Sequence, residues 1–158
     1  MIKTVVTDFS KVLLFAKDPH YRGGLNELNN RLLLGDPAYP FFEYFVLNEE
    51  LLRYYKKLNN TVPVFVFTSE TVQDHPAIKE TVRNAFRGVF SAKELHLSKA
   101  EPKTYEEVAK LAGCRPDEVL YVDDKASNLE SAVRAGLNTV LYAGNDEIIR
   151  QLDTLAKQ

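Results

Sequence analysis

Apolar residues along the chain fall into short uninterrupted runs that alternate with longer segments of helical spacing. Runs at 2–7, 62–67 and 119–122 are rich in β-branched and aromatic residues, which is typical of strands buried on both faces. A brief strand is expected at 88–90 and a last one at 138–142. Between and after them, apolar residues recur at helical spacing in the segments 48–58, 76–86, 102–112, 127–136 and 146–155. The alternation predicts an α/β fold with a central parallel sheet and right-handed crossovers.

Local signals place the ends of some of these helices. Asn48 is a plausible N-cap, and the two glutamates after it suit the positive end of a helix dipole. Ser127 and Glu130 have the spacing of a capping box and are expected to open the helix that ends at Gly136. Pro102 is expected near the start of the preceding helix.

Turn-forming residues interrupt this pattern between the first and second predicted strands. Residues 17–40 contain several Pro, Gly and Asn turn signals around one short helical segment, LNELNNRLLL, and an aromatic cluster follows at 41–45. The aromatic cluster is interpreted as packing within this region rather than as a substrate platform. We expect residues 15–58 to be an insertion into a core made of residues 1–14 and 59–158.

Composition adds little to this picture. A chain of 158 residues that is 45% hydrophobic fits one domain with a small insertion. Lys and Arg number 20 against 22 Asp and Glu, so the net charge of −2 gives no reason to expect nucleic acid or an anionic membrane as a partner. The single Cys114 has no partner for an internal disulfide, and neither a signal peptide nor a membrane span is recognisable. A cytoplasmic location is expected, and the oligomeric state is left open.

Polar side chains stand where three of the predicted strands end, and a lysine precedes the third. They are Asp8, Thr68 with Ser69, Lys99, and Asp123 with Asp124. Ligands of open parallel sheets bind at the carboxyl ends of the strands, so these groups are expected to share one crevice. Clustered carboxylates favour a cation such as Mg²⁺. A metal and a lysine can neutralise a phosphoryl group while an aspartate attacks phosphorus.

Four segments that carry these residues, in this order, resemble the motifs of the haloacid dehalogenase-like hydrolase superfamily. They are VVTDFSKVLL, VFVFTSE, KAEPKTYEEVAKLAG and EVLYVDDKASNLESAVRAGL. The resemblance covers residues 1–14 and about 60–145. It implies a Rossmann-like three-layer sandwich in which residues 15–58 form a small helical cap, with Mg²⁺ as cofactor. It also implies a small phosphorylated substrate, although a small cap leaves the crevice open enough for a larger one.

The resemblance also implies a role for each motif residue. Asp8 would attack the phosphoryl group and form an aspartyl-phosphate. Thr68 would hydrogen-bond the group in transfer, and Lys99 would offset the charge on Asp8 and the phosphate.

Mg²⁺ would be held by Asp8, by Asp124 and by the backbone carbonyl of Ser10, with Asp123 as a further candidate ligand. The candidates for substrate contact are Ser10, Ser69, His20 and Arg22. For His20 a plain surface loop is the alternative. Taken alone, Asp8 would be a turn or cap residue, and the paired aspartates could merely cap the next helix, but the order of the motifs favours the site.

The first motif departs from the superfamily pattern at two positions. Ser10 stands where its phosphatases have a second aspartate that protonates the leaving group and then activates water, and serine is a poor acid or base near pH 7. Lys11 takes the place of a glycine. Three functions therefore stay open: a phosphatase-like hydrolase with an atypical acid–base step, a catalytically degenerate binding protein, and a carbon–halogen hydrolase. The last is ranked lowest because such enzymes carry an aromatic residue at position 10 and a larger cap.

Overall fold

In the computed structural model, which describes residues 1–155, five parallel strands form a central sheet with helices on both faces. The strands are β1 (Thr4–Thr7), β4 (Val64–Thr68), β5 (Gly88–Ser91), β6 (Val119–Asp123) and β7 (Asn138–Leu141), in the order β5-β4-β1-β6-β7. The helices after residue 48 are α3 (Glu49–Leu58), α4 (Lys79–Ala85), α5 (Pro102–Leu111), α6 (Ala126–Arg134) and α7 (Asn145–Leu155). The predicted α/β, Rossmann-like class is confirmed.

Alternate residues of the central strands point to opposite faces of the sheet, and their side chains pack in two separate hydrophobic cores. Val5 packs in the core that also contains Tyr55 of α3 and Ile148 of α7. Its neighbour Val6 packs on the other face, in the core that contains Tyr105 of α5 and Ala132 of α6. Burial on both faces is why β1, β4 and β6 are uninterrupted apolar runs in the sequence.

The predicted helix starts at Asn48 and Pro102 agree with the structure, in which α5 begins at Pro102, and two others differ. Asn48 caps α3, because its side chain accepts a hydrogen bond from the backbone N–H of Leu51. The capping box predicted from Ser127 and Glu130 is wrong: α6 begins at Ala126, so Ser127 already lies in the first turn. The helix expected from about residue 76 begins only at Lys79, after a 3₁₀ turn at 72–74.

The inserted region contains a small antiparallel pair, β2 (Leu14–Ala16) with β3 (Phe45–Leu47), and the helices α1 (Leu25–Gly35) and α2 (Phe41–Tyr44). Two members of the aromatic cluster are buried, and Phe41 stacks on Phe45 with ring centroids 4.7 Å apart. Helix α3 instead packs against α4 and α7. The cap boundary at residue 58 stays a prediction, and the packing of α3 favours an earlier end at residue 48.

The sequence-based expectation of a cytoplasmic protein without membrane contact also stays a prediction. Of the helices within residues 1–155, none combines the length and the apolar character needed to cross a bilayer.

Lys11 adopts a left-handed backbone conformation, with φ of 62° in the loop after β1. Such a conformation costs about 1–2 kcal/mol for a residue with a Cβ atom and little for glycine, whose own cost lies in the flexibility of the unfolded chain. We expect Lys11→Gly to raise the free energy of unfolding by about 0.5–1 kcal/mol in urea denaturation. Lys11→Ala removes the same charge but keeps the strain, and it should bring no gain. Equal stability of the two variants would contradict this account of the loop.

Candidate active site

Three aspartates converge at the carboxyl ends of β1 and β6. Asp8 directly follows β1, Asp123 ends β6, and one carboxylate oxygen of each, with one of Asp124, lies within 4.8 Å of the others. The sheet fixes this meeting point, because β1 and β6 are neighbours and the backbone N–H of Asp8 donates to the carbonyl of Val122 at 2.8 Å. Asp8 and Asp123 are buried, and Asp124 is partly exposed.

Lys99 reaches two of these carboxylates from the segment before α5. Its Nζ lies 2.8 Å from Asp8 Oδ1 and 3.3 Å from Asp123 Oδ2, and the residue is only 8% exposed. The ammonium also lies over the ring of Phe67, 5.0 Å from its centroid. The hydroxyl of Tyr105 donates to the backbone carbonyl of Lys99 at 2.9 Å, which anchors the segment. One buried cation is thus shared between two buried anions.

Asp123 has its hydrogen-bonding capacity filled from several sides. It accepts bonds from the Tyr121 hydroxyl, from the Asn128 amide at 3.0 Å and from the backbone N–H of Lys125 at 2.9 Å, in addition to Lys99. Burial works to raise the pKa of Asp123, but the Lys99 charge and these hydrogen bonds hold the pKa below its usual value. Its carboxylate therefore holds Lys99 and the start of α6 in place.

Asp8 and Asp124 are in the opposite electrostatic situation. Burial raises the pKa of Asp8 to about 6 against the opposing charge of Lys99, and Asp123 adds to the rise. Burial and the neighbouring Asp123 also raise the pKa of Asp124, whose Oδ1 is buried without a hydrogen-bond partner. The cluster contains three carboxyl groups and one ammonium group, and burial adds to the cost of leaving the carboxylates without a further cation. Hard oxygen ligands with an unpartnered carboxylate oxygen fit a divalent cation such as Mg²⁺.

A cavity of about 170 Å³ opens beside this cluster. Five of the residues singled out from the sequence line it, namely Asp8, Ser10, Thr68, Ser69 and Asp124. Thr68 Oγ1 is buried without a hydrogen-bond partner, so its hydroxyl is available to a bound group. The cavity is lined further by Lys11, Gly24, Leu25, Asn26, Glu70, Lys125 and Asn128.

The two cap residues proposed for substrate contact lie apart from this cavity. His20 and Arg22 are exposed, and an Arg22 Nη1 donates to the carbonyl of Pro19 at 2.6 Å. Arg22 lines a second cavity of about 330 Å³, which shares Lys11 and Leu25 with the first, whereas His20 lines neither. Substrate contact by these two residues stays a prediction.

Sequence analysis missed several residues of the site. Asn128 follows Asp124 by four positions, inside the fourth motif segment, and its place in the first turn of the helix after the strand could have identified it. Asn26 of α1 could not be found this way. Its Nδ2 lies 3.5 Å from Ser10 Oγ, and its Oδ1 accepts the backbone N–H of Val72 at 3.1 Å. Only the folded chain brings α1 to these two loops.

Comparison with known proteins identifies the class to which this site belongs. The family model described as haloacid dehalogenase-like hydrolase matches residues 43–142, and the chain therefore belongs to that family. The matched range includes Thr68, Lys99, Asp123 and Asp124, and it begins after the first motif with Asp8.

The individual proteins that resemble this chain share only a small part of its sequence. An enolase-phosphatase E1 from Aquifex aeolicus is 31% identical over 84 residues, which are 50% of this chain and 37% of that protein. This chain thus aligns with little more than a third of that relative's length. An uncharacterised protein from Corynebacterium glutamicum superimposes with a TM-score of 0.66 at 19% identity, covering 99% of this chain and 96% of its own. A family enzyme from Bacteroides thetaiotaomicron, in complex with magnesium and inorganic phosphate, gives 0.66 at 16% identity, with 92% and 97% covered. At these identities the two structures show the shared fold.

Proposed function

We propose that this protein is a Mg²⁺-dependent phosphatase-like hydrolase that forms an aspartyl-phosphate on Asp8. One observation carries the proposal. Asp8, whose Oδ1 is held by Lys99, shares one cavity with the unpartnered oxygen of Asp124 and the unpartnered hydroxyl of Thr68. A nucleophile, a metal ligand and a hydrogen-bond donor are the groups that phosphoryl transfer to a carboxylate requires.

Each side chain then has a definite task. Lys99 fixes one oxygen of Asp8 and leaves Oδ2 to attack phosphorus. Thr68 donates its hydroxyl to an oxygen of the phosphoryl group, and the backbone N–H of Ser69 follows it at the end of β4. Water then attacks the phosphorus of the aspartyl-phosphate and releases inorganic phosphate, and Lys99 compensates the charge that returns to Asp8.

The metal ligands are proposed to be Asp8, Asp124 and the backbone carbonyl of Ser10. Asp123, whose oxygens are already occupied by Lys99 and the start of α6, is a weaker candidate for direct ligation. When bound, Mg²⁺ supplies positive charge that offsets the developing charge on the phosphoryl oxygens.

The substrate is proposed to be a small phosphorylated molecule. The cavity of about 170 Å³ suits a phosphoryl group with a few further atoms, and the adjoining cavity of about 330 Å³ offers Phe15, Tyr21 and Arg22 to the rest of the molecule. The name of the Aquifex relative and the phosphate bound to the Bacteroides enzyme support a phosphate ester.

Ser10 favours a second candidate function, a family member that binds phosphate, metal or a protein partner without turning over substrate. Its hydroxyl lies 3.5 Å from the amide of Asn26 and is a poor acid at neutral pH. Mg²⁺ ligation through the Ser10 carbonyl would survive the loss of an aspartate side chain, so binding and turnover can separate at this position.

A panel of phosphomonoesters, assayed with and without Mg²⁺, distinguishes these functions. The proposal expects turnover by the wild type that requires Mg²⁺. Turnover that appears only in Ser10→Asp would favour the binding protein. Metal-independent release of halide from 2-haloacids would instead support a dehalogenase.

Mg²⁺ is expected to stabilise the fold through Asp124. A ligand at about 100 times its dissociation constant adds about 2.7 kcal/mol to the free energy of unfolding. Thermal denaturation with Mg²⁺ and with EDTA should show this gain for the wild type and most of it lost in Asp124→Asn. Asp117→Asn is the matched control, since Asp117 is exposed and precedes β6 at the opposite end of that strand. Equal Mg²⁺ shifts in all three proteins would contradict the proposed ligand.

A further inference from the structure

The proposed phosphatase chemistry lacks an assigned proton donor. The departing alkoxide of a phosphate ester needs a proton, and general acid catalysis contributes about 10²–10⁴-fold to such steps. The Ser10 hydroxyl does not ionise near neutral pH. His20, which the sequence suggested for substrate contact, is exposed and lines neither cavity near the site.

We propose that Glu70 is the general acid and base of this site, an inference that rests on the proposed function. Glu70 follows Thr68 and Ser69 at the end of β4 and lines the same cavity as Asp8. Within residues 1–155, three carboxyl groups line that cavity. Asp8 is assigned to attack and Asp124 to the metal, which leaves Glu70 as the carboxyl group free to transfer a proton.

Helix α1 holds Glu70 and its loop at the cavity. Asn30 Nδ2 lies 3.4 Å from Glu70 Oε2, and Asn26, one helical turn earlier, accepts the backbone N–H of Val72. The backbone carbonyl of Glu70 also accepts a hydrogen bond from Gln73 Nε2 at 2.8 Å. Two asparagines of the inserted region therefore anchor the segment that carries the carboxyl group.

The surroundings of Glu70 leave its carboxyl group free to exchange a proton with solvent or with a bound substrate. Its side chain is 36% exposed, and the contact with Lys93 Nζ at 3.6 Å is longer than a close ion pair. A partly exposed carboxyl group that is not held in a close ion pair can pass a proton to and from a group bound in this cavity.

The two half-reactions balance with Glu70 in this role. As Asp8 Oδ2 forms its bond to phosphorus, the bond from phosphorus to the ester oxygen breaks, and the Glu70 proton passes to that oxygen to give the alcohol. A water molecule then forms a bond to phosphorus, one of its protons returns to the Glu70 carboxylate, and the bond from phosphorus to Asp8 breaks. Inorganic phosphate leaves, and both carboxyl groups regain their starting state.

The test is the dependence of kcat/KM on the leaving group, because kcat/KM reports the step in which the ester bond breaks. Nitrophenyl phosphate releases an anion that needs no proton, whereas an alkyl phosphate releases an alkoxide that does. Glu70→Gln is expected to lower kcat/KM on the alkyl ester by about 10²-fold or more and to change it little on nitrophenyl phosphate. Glu94→Gln is the matched control, since Glu94 is exposed and does not line this cavity, and both its rates should equal those of the wild type.

A second variant distinguishes the loss of a proton donor from a displacement of the loop that carries Glu70. Adding Ser10→Asp to Glu70→Gln should restore turnover of the alkyl ester, because it supplies a carboxyl group in the same cavity. Equal losses on both esters, or no loss on either, would overturn the assignment of Glu70 while leaving the proposed function intact. A wild type that hydrolyses neither ester would overturn the proposed function and this inference with it.

Discussion

Replacing Asp8 with asparagine is expected to abolish phosphomonoester turnover, with a loss in kcat of about 10⁴–10⁶-fold. An amide has the shape of the carboxylate but is a far weaker nucleophile, so the aspartyl-phosphate cannot form at a useful rate. Folding should survive the change, because Lys99 keeps its contact with Asp123 at 3.3 Å. Steady-state assays with saturating Mg²⁺ and substrate measure the effect.

The control for this variant is Asp117→Asn, which neutralises an exposed aspartate that is paired with Arg115, far from the strand ends that form the site. Its kcat should match that of the wild type. If Asp8→Asn retained kcat within about tenfold of the wild type, that is within about 1.4 kcal/mol of activation free energy, Asp8 would not be the nucleophile.

Removing the Lys99 charge is expected to produce the largest loss of stability. Lys99→Met leaves the carboxylates of Asp8 and Asp123 buried without their shared cation, and breaking a buried ion pair from one side costs about 3–5 kcal/mol. Methionine fills a similar volume between Phe67 and Tyr121, so lost packing contributes little. Urea denaturation in EDTA measures the difference, and Lys110→Met, at an exposed lysine of α5, should change little.

A double variant separates charge from packing in this experiment. If the loss comes from unbalanced charge, then adding Asp8→Asn to Lys99→Met should recover part of the stability, because one of the two unpaired anions is gone. If the double variant were as unstable as, or less stable than, Lys99→Met alone, the loss would come from packing. That result would contradict the electrostatic account of the cluster.

The sequence predicted the sheet and the strand-end residues because both depend on local signals. Strands buried on both faces appear as apolar runs, and the residue that ends such a run is placed by the sheet itself, as for Asp8 and Asp123. The contact between Lys99 and Asp8 was expected only from the motif order, since 91 positions of chain separate the two residues. The capping box at Ser127 failed because α6 starts one residue before it.

Other parts of the site depend on packing that no local pattern reports. Asn26 and Asn30 reach the loops after β1 and β4 from the inserted region, and their partners are distant in the chain. From the sequence, Asp124 was preferred to Asp123 as a metal ligand only through the family resemblance. Their different environments, one carboxylate filled with hydrogen bonds and the other with an unpartnered oxygen, appear only in the folded structure.

Trapping the covalent intermediate tests the central claim most directly. The wild type would be mixed with Mg²⁺ and a phosphate ester, quenched in acid within the first turnover, digested, and mapped by mass spectrometry. We predict one phosphoryl group on the peptide that contains Asp8, removed by hydroxylamine and absent from Asp8→Asn. Rapid hydrolysis of the ester with an unmodified Asp8 peptide throughout, or with the phosphoryl group on another residue, would contradict the account.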